Sequence, residues 1–392
     1  MKTVKILISG AGVAGPALAF WLSRHGFRPT VVEQSPVVRE GGYAVDFRGA
    51  VHLELLKRMG LLDAILEKQT HMGAVSYVDA GGRVRSSLPA DFMSGDVEIL
   101  RGDLGKVLFE ATRDDAEYRF DDCIAGLTQD GDGVDVQFGR GDSGRFDLVI
   151  GADGLHSNLR SLAFTETAGG VRDFGYHIAI FTMENLLGLD RTGLFYNEPG
   201  LSAGLYSARN NTEAKASLSF ATPDLPRRRR SRAEHETILR ERFGDMKWET
   251  PRLLQAMSGA PDLYFDSVSQ VRLERWSAGR TALLGDAAYC PSPWSGAGSG
   301  LAVVGAYVLA GELKRAGGDH QVAFTAYEAR MRPYVARAQA MAEGAGDWIA
   351  PMERWKLWRR DMLYRTLPLT PWKGMLANIP RKAAEAIVLE DY

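Results

Sequence analysis

The opening 33 residues constrain the fold most. An apolar run, Val4 to Ile8, leads directly into Gly10-Ala-Gly12-Val-Ala14-Gly15. A second apolar run, Pro29-Thr-Val-Val, ends at Glu33, with Gln34 behind it. The order reads strand, glycine turn, helix, strand, acid, which opens a doubly wound α/β sheet. Gly10 permits the tight turn off the strand, and Gly12 lets backbone approach a pyrophosphate. Gly15 lets the helix pack close to the sheet. The helix N-terminus then offers unpaired N–H groups and a positive dipole end to phosphates. Glu33 lies 18 residues beyond Gly15, where a carboxylate can accept hydrogen bonds from both ribose hydroxyls. It would repel a phosphorylated ribose, which favours FAD or NAD over NADP at this turn. A glycine-rich bend without ligand is the alternative for the turn alone; the flanking strand, helix and acid count against it.

Composition narrows the class. The chain has 392 residues, enough for two domains with a core each, and a net charge of −2. That balance points to neither a nucleic-acid partner nor a stable membrane association. No run of about 18 apolar residues is present, so no transmembrane span is expected. The first strand starts at once, leaving no room for a signal peptide. Two distant cysteines, Cys123 and Cys290, fit free thiols in a reduced, cytoplasmic setting. No metal-ligand spacing is seen. The basic run Arg227 to Arg230 with Arg232, after Pro226, lacks interleaved aromatics and reads as a solvated helix start or loop.

Two further apolar strands end at glycine and aspartate. Phe146-Asp-Leu-Val-Ile150 runs into Gly151-Ala-Asp153-Gly154, and Thr281-Ala-Leu-Leu284 runs into Gly285-Asp286. Ligands of open α/β sheets sit at the carboxyl ends of strands, so three ends can converge on one extended ligand. After Asp286 come Pro291, Pro293, Gly296, Ala297, Gly298 and Gly300, then a helical pattern from Leu301 to Leu313. The N-terminus of that helix would face the ligand and suit a ring that gains negative charge on reduction.

These motifs resemble those of the single-component FAD-dependent aromatic hydroxylases. These class A flavin monooxygenases are the relatives of p-hydroxybenzoate hydroxylase, and their short bacterial members include tetracycline-inactivating enzymes. The shared residues are Gly10, Gly12, Gly15 and Glu33, Arg101 with Leu104, Gly151 to Arg160, and Gly285 to Gly298. The resemblance implies that Glu33 binds the adenosine ribose and that Arg101 contacts the FAD backbone. It places Arg39 near the pyrophosphate, Asp286 on the ribityl chain and Pro293 to Gly298 along the isoalloxazine. Asp153 and Gly154 fall in a motif tied to both FAD and NAD(P)H. Gly41, Gly42 and Asp46 to Arg48 would border a moving ring. Two departures stand out: Tyr289 replaces a histidine, and Gly300 and Gly305 replace an asparagine and an aspartate. Altered hydrogen bonding to the pyrimidine edge would follow, with a changed redox potential or looser flavin binding.

The expected fold is therefore α/β: a Rossmann-type FAD-binding domain from 1–70, 91–170 and 275–333. An antiparallel-sheet substrate domain from 71–90 and 171–274 is inserted, and a helical segment follows at 334–392. Strand-like stretches at 73–88, 175–182, 193–196, 201–206 and 216–220 carry the substrate domain. His177, Phe181, Phe195, Tyr206 and Phe220 are candidate pocket residues, of which about half should face the pocket because strand neighbours alternate. The tail, with Trp348, Trp355, Trp358, Tyr364 and Trp372, is expected to dock on the substrate domain; a membrane-surface helix or dimer contact is the alternative.

By resemblance the activity is hydroxylation of an aromatic or polyketide-like small molecule of secondary metabolism. NADPH or NADH and O2 would be consumed through a flavin C4a-hydroperoxide. No catalytic side chain and no metal are required. The chain would act as a monomer or homodimer. The alternatives are a catalytically degenerate flavin-binding or ligand-sequestering protein and a flavin-dependent halogenase. Trp348-Ile-Ala-Pro351 resembles a halogenase motif only superficially.

Overall fold

The computed structural model describes residues 4–39, 41–164, 170–222, 225, 228, 230–371 and 373–392. Pro226, Arg227, Arg229 and Trp372 lie outside the described residues. The first strand, β1 (Lys5–Ser9), is followed by α1 (Ala14–Arg24) and β2 (Arg28–Glu33). Helix α2 (Arg101–Glu110) and strand β3 (Leu148–Gly151) come later in the chain. The central sheet has six strands in the order Ser277–Ala278, Thr281–Leu283, β3, β1, β2 and Glu117–Phe120. All neighbours are parallel except the outermost hairpin, Ser277–Ala278 with Thr281–Leu283. Both faces of such a sheet are covered, so its strands are continuous apolar runs, and Ile6, Leu7 and Ile8 are fully buried. The three glycine-terminated strands are adjacent and parallel, which brings their carboxyl ends to one edge.

The second sheet has seven strands. They are β4 (Val171–Met183), β5 (Gly193–Glu198), β6 (Leu201–Ala208), β7 (Glu213–Ala221) and β8 (Tyr264–Val271), with Val75–Val78 and Val84–Leu88. The order is β8, β4, β7, β6, β5, Val75–Val78, Val84–Leu88, antiparallel except where β5 meets Val75–Val78. One face packs on helices Arg232–Phe243 and Thr250–Met257 through Phe181, Phe220, Leu239, Phe243 and Met257. The other meets loops of the first unit through Ile178, Ile180 and Val268, with Tyr43, Tyr176 and Trp294 against them. Covered on both faces, β7 buries even Lys215, Ser217 and Ser219. Strand β8 escaped the sequence reading because Tyr264-Phe-Asp-Ser-Val-Ser-Gln-Val carries polar residues on both faces.

Helix α3 (Gly298–Arg315) is buried almost throughout and packs on α1, and α4 (His320–Ala340) covers it. Residue 334, expected to open the tail, falls inside the continuous α4. Helix α5 (Arg354–Thr366) then docks on Val84–Leu88 at the edge of the seven-stranded sheet.

Tyr289, Gly300 and Gly305 all lie in tightly packed surroundings. Tyr289 is buried, and its hydroxyl occupies the space where a Gly305 Cβ would sit. Tyr327 donates to that hydroxyl at 3.0 Å. A Gly300 Cβ would overlap the His52 ring. The His52 Nδ1 accepts from the Arg48 N–H at 3.0 Å, so its proton is on Nε2 and points to the Tyr334 hydroxyl at 2.7 Å. Burial, with the Arg48 charge, holds the His52 pKa down at about 4. Each larger residue fills the volume that its glycine vacates. Gly305→Ala is expected to cost about 1–3 kcal/mol by overpacking. Tyr289→Phe in the same chain should recover most of that loss. Chemical denaturation of the two single variants and the double variant measures the coupling.

Candidate active site

A cleft of about 750 Å³ runs along the carboxyl edge of the central sheet. It is near the upper end of small-molecule pockets, roughly 300–1,000 Å³. Three helices start at it without a side-chain N-cap: α1 after Val13, α2 after Leu100 and α3 after Ala297. Ala14, Arg101, Gly298 and Ser299, from their first turns, line it. Three positive dipole ends with N–H groups to spare suit an anionic ligand.

The glycine turn is held by neighbouring backbone. Gly10 has φ +106°, and its N–H donates to the Val32 carbonyl at 2.7 Å. A Cβ there would lie 2.6 Å from the Ala152 carbonyl oxygen, so only glycine passes. A Cβ on Gly15 would overlap the Gly10 carbonyl oxygen, so Gly15 serves the packing of turn on helix and does not line the cleft. Gly12 does line it, with only the Arg101 guanidinium near its missing Cβ, at 3.6 Å.

Glu33, 7 % exposed, accepts from the Ala11 N–H at 2.8 Å and the Ser35 N–H at 2.9 Å. Gln34 borders the cleft beside it. Arg39 pairs with Glu33 at 3.0 Å and lines the cleft. The Arg101 backbone N–H donates to the Tyr43 carbonyl at 2.9 Å, and its half-buried guanidinium lines the cleft, where it feels the charges of Asp286 and Glu33. Burial pushes the Asp286 carboxyl above the usual carboxylate range, and Arg101 opposes the shift.

Asp153 borders the cleft, but its carboxylate accepts from Ser157, Ser9, and the N–H groups of Asn158 and Leu159. It fastens the start of helix Asn158–Ala163. Gly154 beside it lines the cleft. Arg160 from the same motif donates to the Ala287 carbonyl at 2.8 Å and the Leu155 carbonyl at 2.6 Å, tying this loop to the Asp286 loop. Pro293, Gly296 and Gly298 line the far end. Gly285, at φ +64°, packs on Ala14 instead. Ala297 faces a separate cavity of about 20 Å³ beside Asp46, Arg48 and His52. Cys290 is a free, buried thiol pushed well up in pKa by burial and Asp286, which leaves it inert as a nucleophile.

The sheet candidates divide by strand parity. Phe195 and Tyr206 lie on the face shared with Ile178 and Ile180, but neither lines the cleft. Phe181 and Phe220 are corrections: both are 0 % exposed in the core of the opposite face, against Leu239 and Phe243. His177 shares their parity, stacking on Phe220 at 5.6 Å, yet reaches the cleft at the β8 edge. That edge also supplies Tyr264, Phe265 and Asp266, none of them singled out from sequence. Asp266 bonds His156 at 2.8 Å, linking the seven-stranded sheet to the Asp153 loop.

Residues 3–345 match the family described as FAD binding domain. The chain belongs to that family. An uncharacterised protein of Mycobacterium tuberculosis is 47 % identical over 345 residues, covering 86 % of this chain and 92 % of the relative. A flavin-dependent monooxygenase from an unknown prokaryotic organism is 39 % identical over 394 residues, covering 100 % and 99 %. Among solved structures, tetracycline destructase Tet(51) aligns with a TM-score of 0.88 at 34 % identity, covering 100 % of both chains. The chain is thus a flavoprotein oxidoreductase of the FAD-dependent monooxygenases, with FAD as its cofactor.

One buried acid pair in this flavoprotein also escaped the sequence reading. Asp46 and Glu98 face each other across the antiparallel pair Ala44–Phe47 with Val97–Leu100. The signal was there: Glu98 is a lone acid inside an apolar strand. Asp46 lines the cleft, pairs with Arg48 at 2.9 Å and accepts from the Gly95 N–H at 2.8 Å. Thr70 donates to Glu98. One arginine cannot neutralise two carboxylates. Burial, then Asp46, push the Glu98 carboxyl up to about 7, against Thr70 and Arg48. The folded state therefore holds this proton more tightly than the unfolded chain. The stabilisation is complete below the ordinary glutamate range and is lost as pH rises through about 7. Glu98→Gln should match wild type at pH below that range and exceed it by about 1–3 kcal/mol well above it. Thermal melts across pH test this; a variant that stays less stable at alkaline pH contradicts it.

Proposed function

We propose that this flavoprotein uses NADH or NADPH and O2 to hydroxylate an aromatic or polyketide-like small molecule. The observation that carries the reading is the cleft. One wall is built from three strand ends and three uncapped helix starts, and the edge strand β8 of the second sheet forms the other. That geometry suits a long dianionic cofactor with its ring end near a separate substrate-holding sheet. When bound, the flavin supplies electron transfer and oxygen activation.

Each residue then has a task. Glu33 would take the adenosine ribose. Arg101 and the α1 N-terminus would neutralise the pyrophosphate, and Asp286 would hold the ribityl chain. Pro293, Gly296 and Gly298 would line the ring, with the α3 dipole behind it. The sheet face bearing Phe195 and Tyr206 would exclude water and aim the substrate. In this reading the FAD-binding unit comprises 1–70, 91–170 and 275–333, and the substrate unit 71–90 and 171–274. Tyr289, Gly300 and Gly305, which suggested a degenerate protein, do not line the cleft, which favours the catalytic reading.

The decisive experiment is steady-state NADH and NADPH oxidation by the purified protein with FAD in air. A panel of phenols and polycyclic polyketides would be offered, tetracycline first because the structural relative is named for it. The expected result is substrate-dependent oxidation and a product heavier by one oxygen atom. Colourless protein with no substrate-dependent oxidation would refute the proposal. Arg101→Ala should weaken FAD binding roughly 10- to 100-fold, the loss expected for a charge-assisted hydrogen bond. Quenching of flavin fluorescence on titration with apoprotein measures it.

A further inference from the structure

Helix α5 docks through a buried ion pair, Arg360 with Asp361. Arg360 is 2 % exposed and Asp361 8 % exposed. The Arg360 guanidinium lies 3.8 Å from the Tyr77 ring centroid and donates to the Asn197 side-chain oxygen at 3.2 Å and the Trp348 carbonyl at 3.1 Å. Ser86 donates to Asp361 at 3.3 Å. The other face carries Trp355, Trp358 and Met362 at helical spacing, with Met352 just before them, and all four are exposed. Trp358 is 63 % exposed. A helix on a globular protein ordinarily buries its apolar stripe and exposes its charges. Here the outward face carries large apolar side chains together with arginines, while the ion pair is buried.

Charge indicates what the stripe meets. Residues 354–366 hold five arginines and lysines against one aspartate, although the whole chain is net −2. Arg354, Arg359 and Arg365 are exposed along the helix, and Arg359 lies 4.9 Å from the Trp355 ring centroid. A second copy seated symmetrically on this face would set these arginines against one another. Tryptophan and methionine with flanking arginines are instead the composition of helices that lie in the headgroup region of an anionic bilayer.

We propose that the outward face of α5 docks this protein reversibly on an anionic lipid surface. The contact is peripheral: no helix among the described residues is long and apolar enough to cross a membrane. It is also independent of the reaction proposed above.

The test is co-sedimentation of the FAD-loaded full chain with two kinds of vesicle. One is phosphatidylcholine alone; the other is an equal mixture of phosphatidylcholine and phosphatidylglycerol. The expected result is binding to the mixed vesicles only, weakened by salt and accompanied by a blue shift of tryptophan fluorescence. Trp355→Ser with Trp358→Ser should abolish it. Arg354→Gln with Arg359→Gln should weaken it about twenty-five-fold, at about five-fold per basic charge near the surface. Unchanged flavin content and melting temperature show that the variants fold. Folded wild-type protein that stays in the supernatant with mixed vesicles overturns the proposal. So does equal binding by wild type and variants. Loss of a solution dimer in the tryptophan variants, without vesicle binding by wild type, assigns the stripe to a second copy and likewise overturns it.

Discussion

The close approach of the Gly10 turn to the end of β3 governs this structure. Parallel neighbours β1 and β3 must end at the same edge, and a Cβ on Gly10 would sit 2.6 Å from the Ala152 carbonyl oxygen. Only a bare backbone lets α1 start there, with its N-terminus aimed along the sheet edge. The Thr281–Leu283 strand joins the same edge beside β3, so the Asp286 loop and α3 arrive opposite the glycine turn. The cleft follows from that geometry, and the second sheet then closes it through β8 and the Tyr176–Trp294 contact, with ring centroids 4.8 Å apart.

Polar groups near the cleft divide between binding and bracing. Glu33, Arg101 and Asp286 line it and suit direct contact with a cofactor. Asp153 and Arg160 spend their hydrogen-bonding capacity on the chain itself, holding the loops after β3 and after Thr281–Leu283 at a set distance. A motif that marks a family can therefore owe its residue types to loop geometry as much as to ligand contact. The same applies to the departures. Tyr289 with Gly305, and His52 with Gly300, are pairs in which a large side chain needs the glycine beside it, visible only when the two members are seen to touch. Read singly, each looked like a lost flavin contact.

Legibility varied with how local the determining physics was. The glycine turn, Glu33 and the Asp153 and Asp286 strand ends could be read because a tight turn or a parallel strand demands particular residues at short spacing. Strand β8 was not legible, because burial on both faces by separate layers erases alternation. The choice among His177, Phe181, Phe195, Tyr206 and Phe220 failed for a related reason. Each lies in a recognisable strand, but parity relative to the cleft depends on pairing with strands far away in sequence. The pairing of His177 with Phe220 is one such register. The Asp46–Glu98 opposition likewise needs the register of two strands some fifty residues apart.

By itself, the sequence determined a dinucleotide-type turn, a doubly wound sheet and the order of the cofactor motifs, because backbone sterics and helix dipoles act over a few residues. Only the tertiary structure decided which aromatic residues face the cleft, which motif carboxylates are occupied in bracing loops, and which face of α5 is outward. Those outcomes depend on strand register and on what each face packs against, and residues far apart in the chain set both.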